Sequence, residues 1–354
     1  MKRKRSPNIP LKLSPKRLKQ YFMSFTLALI CSIAFWVQEQ QHEIRTVDEN
    51  SPIELYANQI SDDLGNTFSE AIDSAQKSVL LVVYSLTDKK IIDCLKKQSL
   101  NGLNVKVICD AKASPYVDSK LGDRVDITRR FGPGLMHQKI LVVDEEKVWL
   151  GSANMTSESL NMHGNLVTAL QSQQLASNIH SKAETLKVEG RGSSFNTENF
   201  MIGGQQIELW FLPDNLKAVQ RLKSLIYSAK KTVRVAMFTW TRTDLAYAII
   251  DAKKRGINAE VVIDRYSAKG ASAKIVKLLK DNQINVTLST GAPLLHHKFL
   301  YIDNTVLVNG SANWTKAAFT QNDDCFIVIH NLTDQQNMQM ENLWKVILSE
   351  SAAP

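Results

Sequence analysis

Two short segments of this 354-residue chain carry residues of the right types, at matched spacing, to gather around a bound anion. The first, MHQKILVVDEEKVWLGSAN, supplies His137, Lys139, Asp144, Gly151, Ser152 and Asn154. The second, HHKFLYIDNTVLVNGSAN, supplies His296, Lys298, Asp303, Gly310, Ser311 and Asn313 in the same spacing. On a strand, residues two apart project to one face, so each His and Lys can turn an imidazole and an ammonium toward a single bound anion. Ser152, Asn154, Ser311 and Asn313 offer hydroxyls and amides to the same oxygens. Asp144 and Asp303 stand five residues beyond the lysines, on the opposite strand face. They count with the motif, and bracing of the fold is the favoured role for them.

What positions these residues is a duplication. IELYANQISDDLGNTFSEAIDSAQKSVLLVVYSL, at 53–86, aligns without gaps on IELWFLPDNLKAVQRLKSLIYSAKKTVRVAMFTW, at 207–240. The offset of 154 persists to Asp110 and Asp264 and becomes 159 at the histidines. Each half reads as strand, helix, strand, helix, strand; in the second half the spans are 206–211, 214–230, 232–239, 243–255 and 258–264. Such alternation implies an α/β sheet covered by helices. HQKILVVD with KVWLGSA, and HHKFLYID with TVLVNGSA, then add two strands to each half. The glycine-rich segment 190–204 reads as a linker, which gives halves at 52–189 and 205–350.

The paired HxKxxxxD segments, each followed by GSxN, resemble the phospholipase D superfamily, and the resemblance covers residues 52–349. SANWTKAAFTQNDDCFIVI, 311–329, is similar to the corresponding segment of the small bacterial endonuclease and mitochondrial cardiolipin hydrolase branch. That branch works as a dimer of single-motif chains, whereas both motifs here lie in one chain, so a monomer suffices. The resemblance implies a phospholipase D fold of two αβ halves with mixed sheets packed about a pseudo-two-fold.

It also implies that one histidine attacks phosphorus to give a phosphohistidine while the other protonates the leaving alkoxide and then activates water. Lys139, Lys298, Asn154 and Asn313 would neutralise the phosphoryl oxygens, and no metal or other cofactor is required. Family order makes His137 the nucleophile and His296 the acid. An acid shortly after GSxN orients the histidine, and Asp324, two after Asn322, fits that place. Matching Asn165 to Asn322 puts Val167 where the first-half acid should be. The expectation is therefore that Asp324 serves His296 and that His137 lacks a carboxylate. His297 is expected to be an ordinary packed or surface histidine, and His163 receives no role.

The net charge of +8 does not point to a polyanionic partner, because eight Lys and Arg at positions 2–19 supply all of it. The remaining 35 Lys and Arg are balanced by 35 Asp and Glu. The basic tail, 1–20, runs into the uncharged segment 21–37, which reads as a transmembrane or signal anchor with the catalytic body on the translocated side. An uncleaved anchor is favoured over secretion after cleavage near Ser32-Ile33-Ala34, and Cys31 is a poor lipid-anchor site. Cys94, Cys109 and Cys325 show no metal or disulfide spacing and read as core residues.

Three substrates fit the chemistry. Phospholipid is favoured by the anchor and by apolar residues beside the motifs: FGPGLM at 131–136, Leu294, Leu295 and Trp314. Nucleic acid comes second, with Arg129, Arg130, Arg242, Lys253, Lys254, Arg255 and Arg265 as candidate groove residues. Phosphatidyl transfer to an alcohol, as in cardiolipin synthases, comes third. A trafficking or assembly role outside enzymology remains an alternative class.

Overall fold

The structure, a computed structural model, describes residues 53–189, 195–290 and 294–352. The tail and the anchor segment, 1–37, lie outside them. Among the described residues no helix is long and apolar enough to cross a membrane.

The first half builds a seven-stranded sheet from β1 (Glu54–Tyr56), β2 (Ser78–Val83), β3 (Asn104–Asp110), β4 (Asp126–Arg130), β5 (Lys139–Val143), β6 (Lys147–Gly151) and β7 (Val167–Gln171), in the order β1-β7-β6-β5-β2-β3-β4. The second builds nine strands: β8 (Glu198–Ile202), β9 (Gln205–Leu212), β10 (Thr232–Met237), β11 (Asn258–Ile263), β12 (Asn285–Ser289), β13 (Lys298–Ile302), β14 (Val306–Gly310), β15 (Asp324–His330) and β16 (Ser351–Ala352). Their order, β16-β12-β11-β10-β13-β14-β15-β9-β8, repeats the first sheet and adds β8 and β16 at its edges. β2, β3 and β4 run parallel, as do β10, β11 and β12, while β5 and β13 pair antiparallel to β2 and β10. The sheets are therefore mixed, as expected. β8 lies inside the segment read as a linker, because Glu198–Ile202 pairs residue by residue with Gln205–Leu209.

The central strands are buried on both faces, which is why SVLLVV and KILVV read as unbroken apolar runs. One core joins the two halves: Ile140, Leu150 and Leu166 share it with Phe299, Tyr301 and Leu307, and helices Gln173–Thr185 and Asp334–Ser349 contribute to it. Separate cores lie under the outer helices of each half, Leu64–Asp73 and Lys89–Leu100 in the first, Ala218–Ser228 and Thr243–Lys254 in the second. Cys94, Cys109 and Cys325 are buried in these cores.

Candidate active site

The sequence stations each His-Lys segment at the carboxyl end of a parallel strand. Lys139 pairs with Val83, the last residue of β2, and Lys298 with Met237, the last of β10. Ligands of open α/β sheets gather at these carboxyl ends. Asp110 and Asp264, closing β3 and β11, accept the backbone N–H of Met136 (3.2 Å) and of Leu295 (3.3 Å), which fixes the chain just before each histidine.

Each histidine segment then zips onto the opposite half. The His137 N–H donates to Asp323 O at 2.8 Å, and the Asp323 N–H donates to Leu135 O at 2.8 Å. By the same pattern the His296 N–H donates to Gly164 O at 2.9 Å, and the Gly164 N–H to Leu294 O at 2.8 Å. The residues that follow Asp323 and Gly164 are thereby delivered to the imidazoles. Asp324 Oδ1 lies 2.7 Å from His137 Nδ1, and Asn165 Oδ1 lies 2.9 Å from His296 Nδ1.

This reverses the expected assignment. Asp324 orients His137, not His296, and it is His296 that lacks a carboxylate. The reason is register: the offset of 159 that relates His137 to His296 also relates Asn165 to Asp324, so Asn165, not Val167, occupies the acid's place. Pairing across the halves has no signature in sequence and comes from the short parallel bridges Met136 to Asp323 and Gly164 to Leu295.

The serines are also corrected. Ser152 Oγ donates to Asn165 Oδ1 (2.8 Å) and accepts from the Leu166 N–H (3.1 Å). Ser311 Oγ donates to Asp324 Oδ1 (2.6 Å) and accepts from the Cys325 N–H (3.0 Å). Both serines are fully buried and hold the histidine-orienting side chains rather than facing a phosphate. The preceding glycines are required by close approach, since a Cβ would lie 2.2 Å from Leu166 O at Gly151 and 2.4 Å from Cys325 O at Gly310. Asn154 and Asn313 are half-buried; Asn313 Oδ1 accepts the Thr239 N–H (3.2 Å), which leaves its Nδ2 hydrogens for a ligand.

Asp144 and Asp303 are not brought to the histidines. They follow the far ends of β5 and β13, roughly 16 Å along the strand from the lysines. In left-handed conformation, with φ of 56° and 51°, their carboxylates accept backbone N–H groups of Gln76, Lys77 and Ser78 and of Lys230, Lys231 and Thr232. They brace the fold, so grouping them with the catalytic residues is corrected.

Lys139 and Lys298 are 3% exposed; each donates from Nζ to the carbonyl of its own histidine and lies over an aromatic ring, Tyr84 at 5.2 Å and Phe238 at 5.1 Å. The same rings sit 5.2 Å from His137 and from His296. Burial pulls the Lys139 ammonium down to about 7 against the pull of Asp324. Burial, and then Lys139, pull Lys298 well below the usual lysine value. Burial and Lys139 lower His137, with Asp324 opposing. Burial, Lys298 and Lys139 lower His296 further, and its Nδ1 meets an amide oxygen rather than a carboxylate. Burial raises the Asp324 carboxyl, but His137, Lys139 and the Ser311 hydroxyl outweigh it and keep the group ionised.

The hydrogen-bond network settles the tautomers. Asp324 is acceptor only. Asn165 spends its Nδ2 hydrogens on Ser159 O (2.8 Å) and His163 O (3.2 Å), so its Oδ1 faces His296. Both imidazoles therefore carry hydrogen on Nδ1 and present Nε2 to a ligand. His163, given no role from sequence, has its ring 6.1 Å from that of His296. Tyr84 and Phe238 likewise have no role from sequence, although the duplication aligns them.

Comparison with known proteins decides the family. The model described as a cardiolipin synthase, phospholipase D-like domain matches twice, over residues 68–187 and 222–344. The chain belongs to the phospholipase D superfamily. It is 29% identical over 129 residues to a mitochondrial cardiolipin hydrolase of Chlamydomonas reinhardtii, covering 36% of this chain and 57% of that protein. It is 27% identical over 111 residues to a phospholipase D of Rickettsia typhi, covering 30% of this chain and 54% of that one. The chain thus spans little more than half the length of these relatives. A crystal structure of phosphatidylserine synthase from Haemophilus influenzae superposes with a TM-score of 0.67 at 14% identity, over 89% of this chain and 90% of that one, which speaks to the fold alone.

Proposed function

We propose that this superfamily member hydrolyses phospholipid phosphodiesters, with His137 as nucleophile and His296 as general acid and base. His137 Nε2 attacks phosphorus, the bond to the head-group oxygen breaks, and His296, entering this step as an imidazolium with a second proton on Nε2, passes that proton to the departing alkoxide and becomes neutral. Water then gives its proton to the neutral His296, its oxygen bonds to phosphorus, and the bond to His137 breaks. The carboxylate on His137 supports this division of roles, because it stabilises the charge that imidazole acquires in the covalent intermediate. Lys139 and Lys298 stand where charge builds on the phosphoryl oxygens. Both halves belong to one chain, so a monomer is proposed as the catalytic unit.

The observation that carries the lipid reading is the segment before His137. Phe131 and Leu135 are 49% and 41% exposed, and Met162, beside His163, is 61% exposed. Lys112 lies over the Phe131 ring at 5.2 Å, so a cation accompanies this exposed apolar side chain. Exposed apolar side chains next to a cation suit the acyl and anionic head-group layers of a membrane. Of the other apolar candidates, Met136, Leu295 and Trp314 are core residues and do not contribute, while Leu294 is half-buried. We place the body at a membrane surface, held by the segment 21–37 on the translocated side.

The groove needed by a nuclease finds little support. Arg130 is buried against Asp323, Arg129 pairs with Asp118, and Arg242 with Asp244. Lys253, Lys254 and Arg255 close the return helix near the start of β11, at the edge away from the histidines. Transfer to an alcohol would use the same first step and stays third.

A paired assay on mixed phospholipid vesicles and single-stranded DNA tests the reading, with His296→Asn as control. Vesicle hydrolysis that needs His296 and falls in Phe131→Ser/Leu135→Ser is expected. Faster His296-dependent cleavage of DNA would overturn the substrate, and no turnover of either would overturn the enzyme.

A further inference from the structure

Position 165 is where the two halves of the site differ in kind. Its surroundings are built for an amide: Nδ2 faces the carbonyl oxygens of Ser159 and His163, at 2.8 and 3.2 Å, and an aspartate there would have no hydrogen to give them. Around Asp324 the arrangement is the opposite, since Asn322 offers its Nδ2 to Asp324 Oδ2 at 3.4 Å. Asn58 reinforces the loop, donating to His163 O and accepting from the Asn165 N–H at 3.0 Å. The amide is therefore a supported feature of the first half.

The charged and titratable groups acting on His296 are Lys298 from its own strand, Lys139 from β5, His137, and His163 from the loop after Ser157–Asn161. None is an anion. Asp264 and Asp324 act on Lys298, and Glu158 and Asp264 on His163. Asn165 fixes the direction of the imidazole but adds no charge that would hold a second proton on it.

Resting on the phosphodiester reading, we propose that Asn165 is a positioning residue that keeps His296 neutral in the empty site, so that His296 takes up its catalytic proton when an anionic phosphodiester settles between Lys139 and Lys298. The substrate supplies the negative charge that Asp324 supplies to His137. A proton from solvent enters with the substrate, passes from His296 Nε2 to the leaving alkoxide, and is replaced by the proton of the attacking water. The acid is thus charged by the substrate, and an empty site holds no protonated acid to spend on a wrong group.

Two measurements test this. The first is an NMR titration of His296 in the full protein, with and without inorganic phosphate as the anion. Phosphate is expected to raise the His296 midpoint by about one unit or more in wild type. In Asn165→Asp the midpoint should already be about 1–3 units higher without phosphate. The second is the pH dependence of kcat/KM, which reports the free enzyme. Its alkaline limb should move upward in Asn165→Asp for a phospholipid, whose alkoxide needs a proton. It should be weak or absent with bis(p-nitrophenyl) phosphate, whose phenolate leaves unprotonated. Asp324→Asn serves as a second variant; it should lower the rate without displacing that limb. A His296 midpoint indifferent to phosphate, or a limb unmoved by Asn165→Asp in folded, active protein, overturns the role of Asn165. Absence of turnover on both substrates with the phosphate response intact would instead overturn the phosphodiesterase reading.

Discussion

Asp324 of the second half holds the imidazole of His137 of the first, at 2.7 Å from Nδ1, and so binds the two copies of the duplication into one site. Removing the carboxylate with Asp324→Asn retains the shape and the Ser311 contact but loses the charge that stabilises an imidazolium or phosphohistidine. Turnover should fall on the order of 10²- to 10⁴-fold with little change in KM, measured by steady-state kinetics. A trapped phosphohistidine, mapped by mass spectrometry, should lie on His137; a label on His296 would reverse the roles.

Asp144→Ala and Asp303→Ala should weaken the fold rather than the chemistry. Each carboxylate accepts three backbone N–H groups, and its loss leaves them to water at the sheet edge. A destabilisation of about 1–3 kcal/mol per site is expected in urea unfolding, with activity per folded molecule within a few-fold of wild type. A loss of turnover without loss of stability would return these residues to the chemistry.

Gly151→Ala and Gly310→Ala push a methyl into a neighbouring backbone oxygen, at 2.2 and 2.4 Å. The strands that carry Ser152 and Ser311 would have to move. Each change should cost on the order of 3 kcal/mol or more and lower the yield of folded protein, read by thermal unfolding.

His297 predicts a pH dependence of stability. It is fully buried beside Gln59, and burial followed by Lys298 pulls it down to about 3. The unfolded imidazole takes a proton below about 6.5, while the folded one stays neutral until about 3. Its contribution is therefore whole above about 6.5 and is lost as pH falls toward 3, by up to about 1.4 kcal/mol per unit. Between pH 7 and 5, wild type should lose about 2 kcal/mol more than His297→Gln in urea unfolding. Equal losses would show that His297 titrates normally in the fold.

Much of this was legible in the chain. The repeated HxK with GSxN named four reactive side chains and the family, because chemistry at a phosphate needs those groups at strand spacing. The alternation of apolar runs gave the two α/β halves, and the spans expected in the second half lie within a few residues of β9 through β11 and their helices. Buried strands and amphipathic helices declare themselves locally, through which residues must avoid water.

What the tertiary structure decided was which partner each group has. His137 could be paired with Asp324, and His296 with Asn165, only once the halves were packed and the Met136–Asp323 and Gly164–Leu295 bridges formed. Ser152 and Ser311 became supports rather than phosphate ligands for the same reason: a hydroxyl's role depends on what lies within 3 Å of it, and those neighbours are 13 positions away in sequence. The motif aspartates are assigned by distance and by the backbone N–H groups they accept, since five residues of extended chain carry them to the far ends of their strands. Residue types and spacing set out the available chemistry; the packing of one half on the other assigned each histidine its partner, and an imidazole's basicity is set by the charge that touches it.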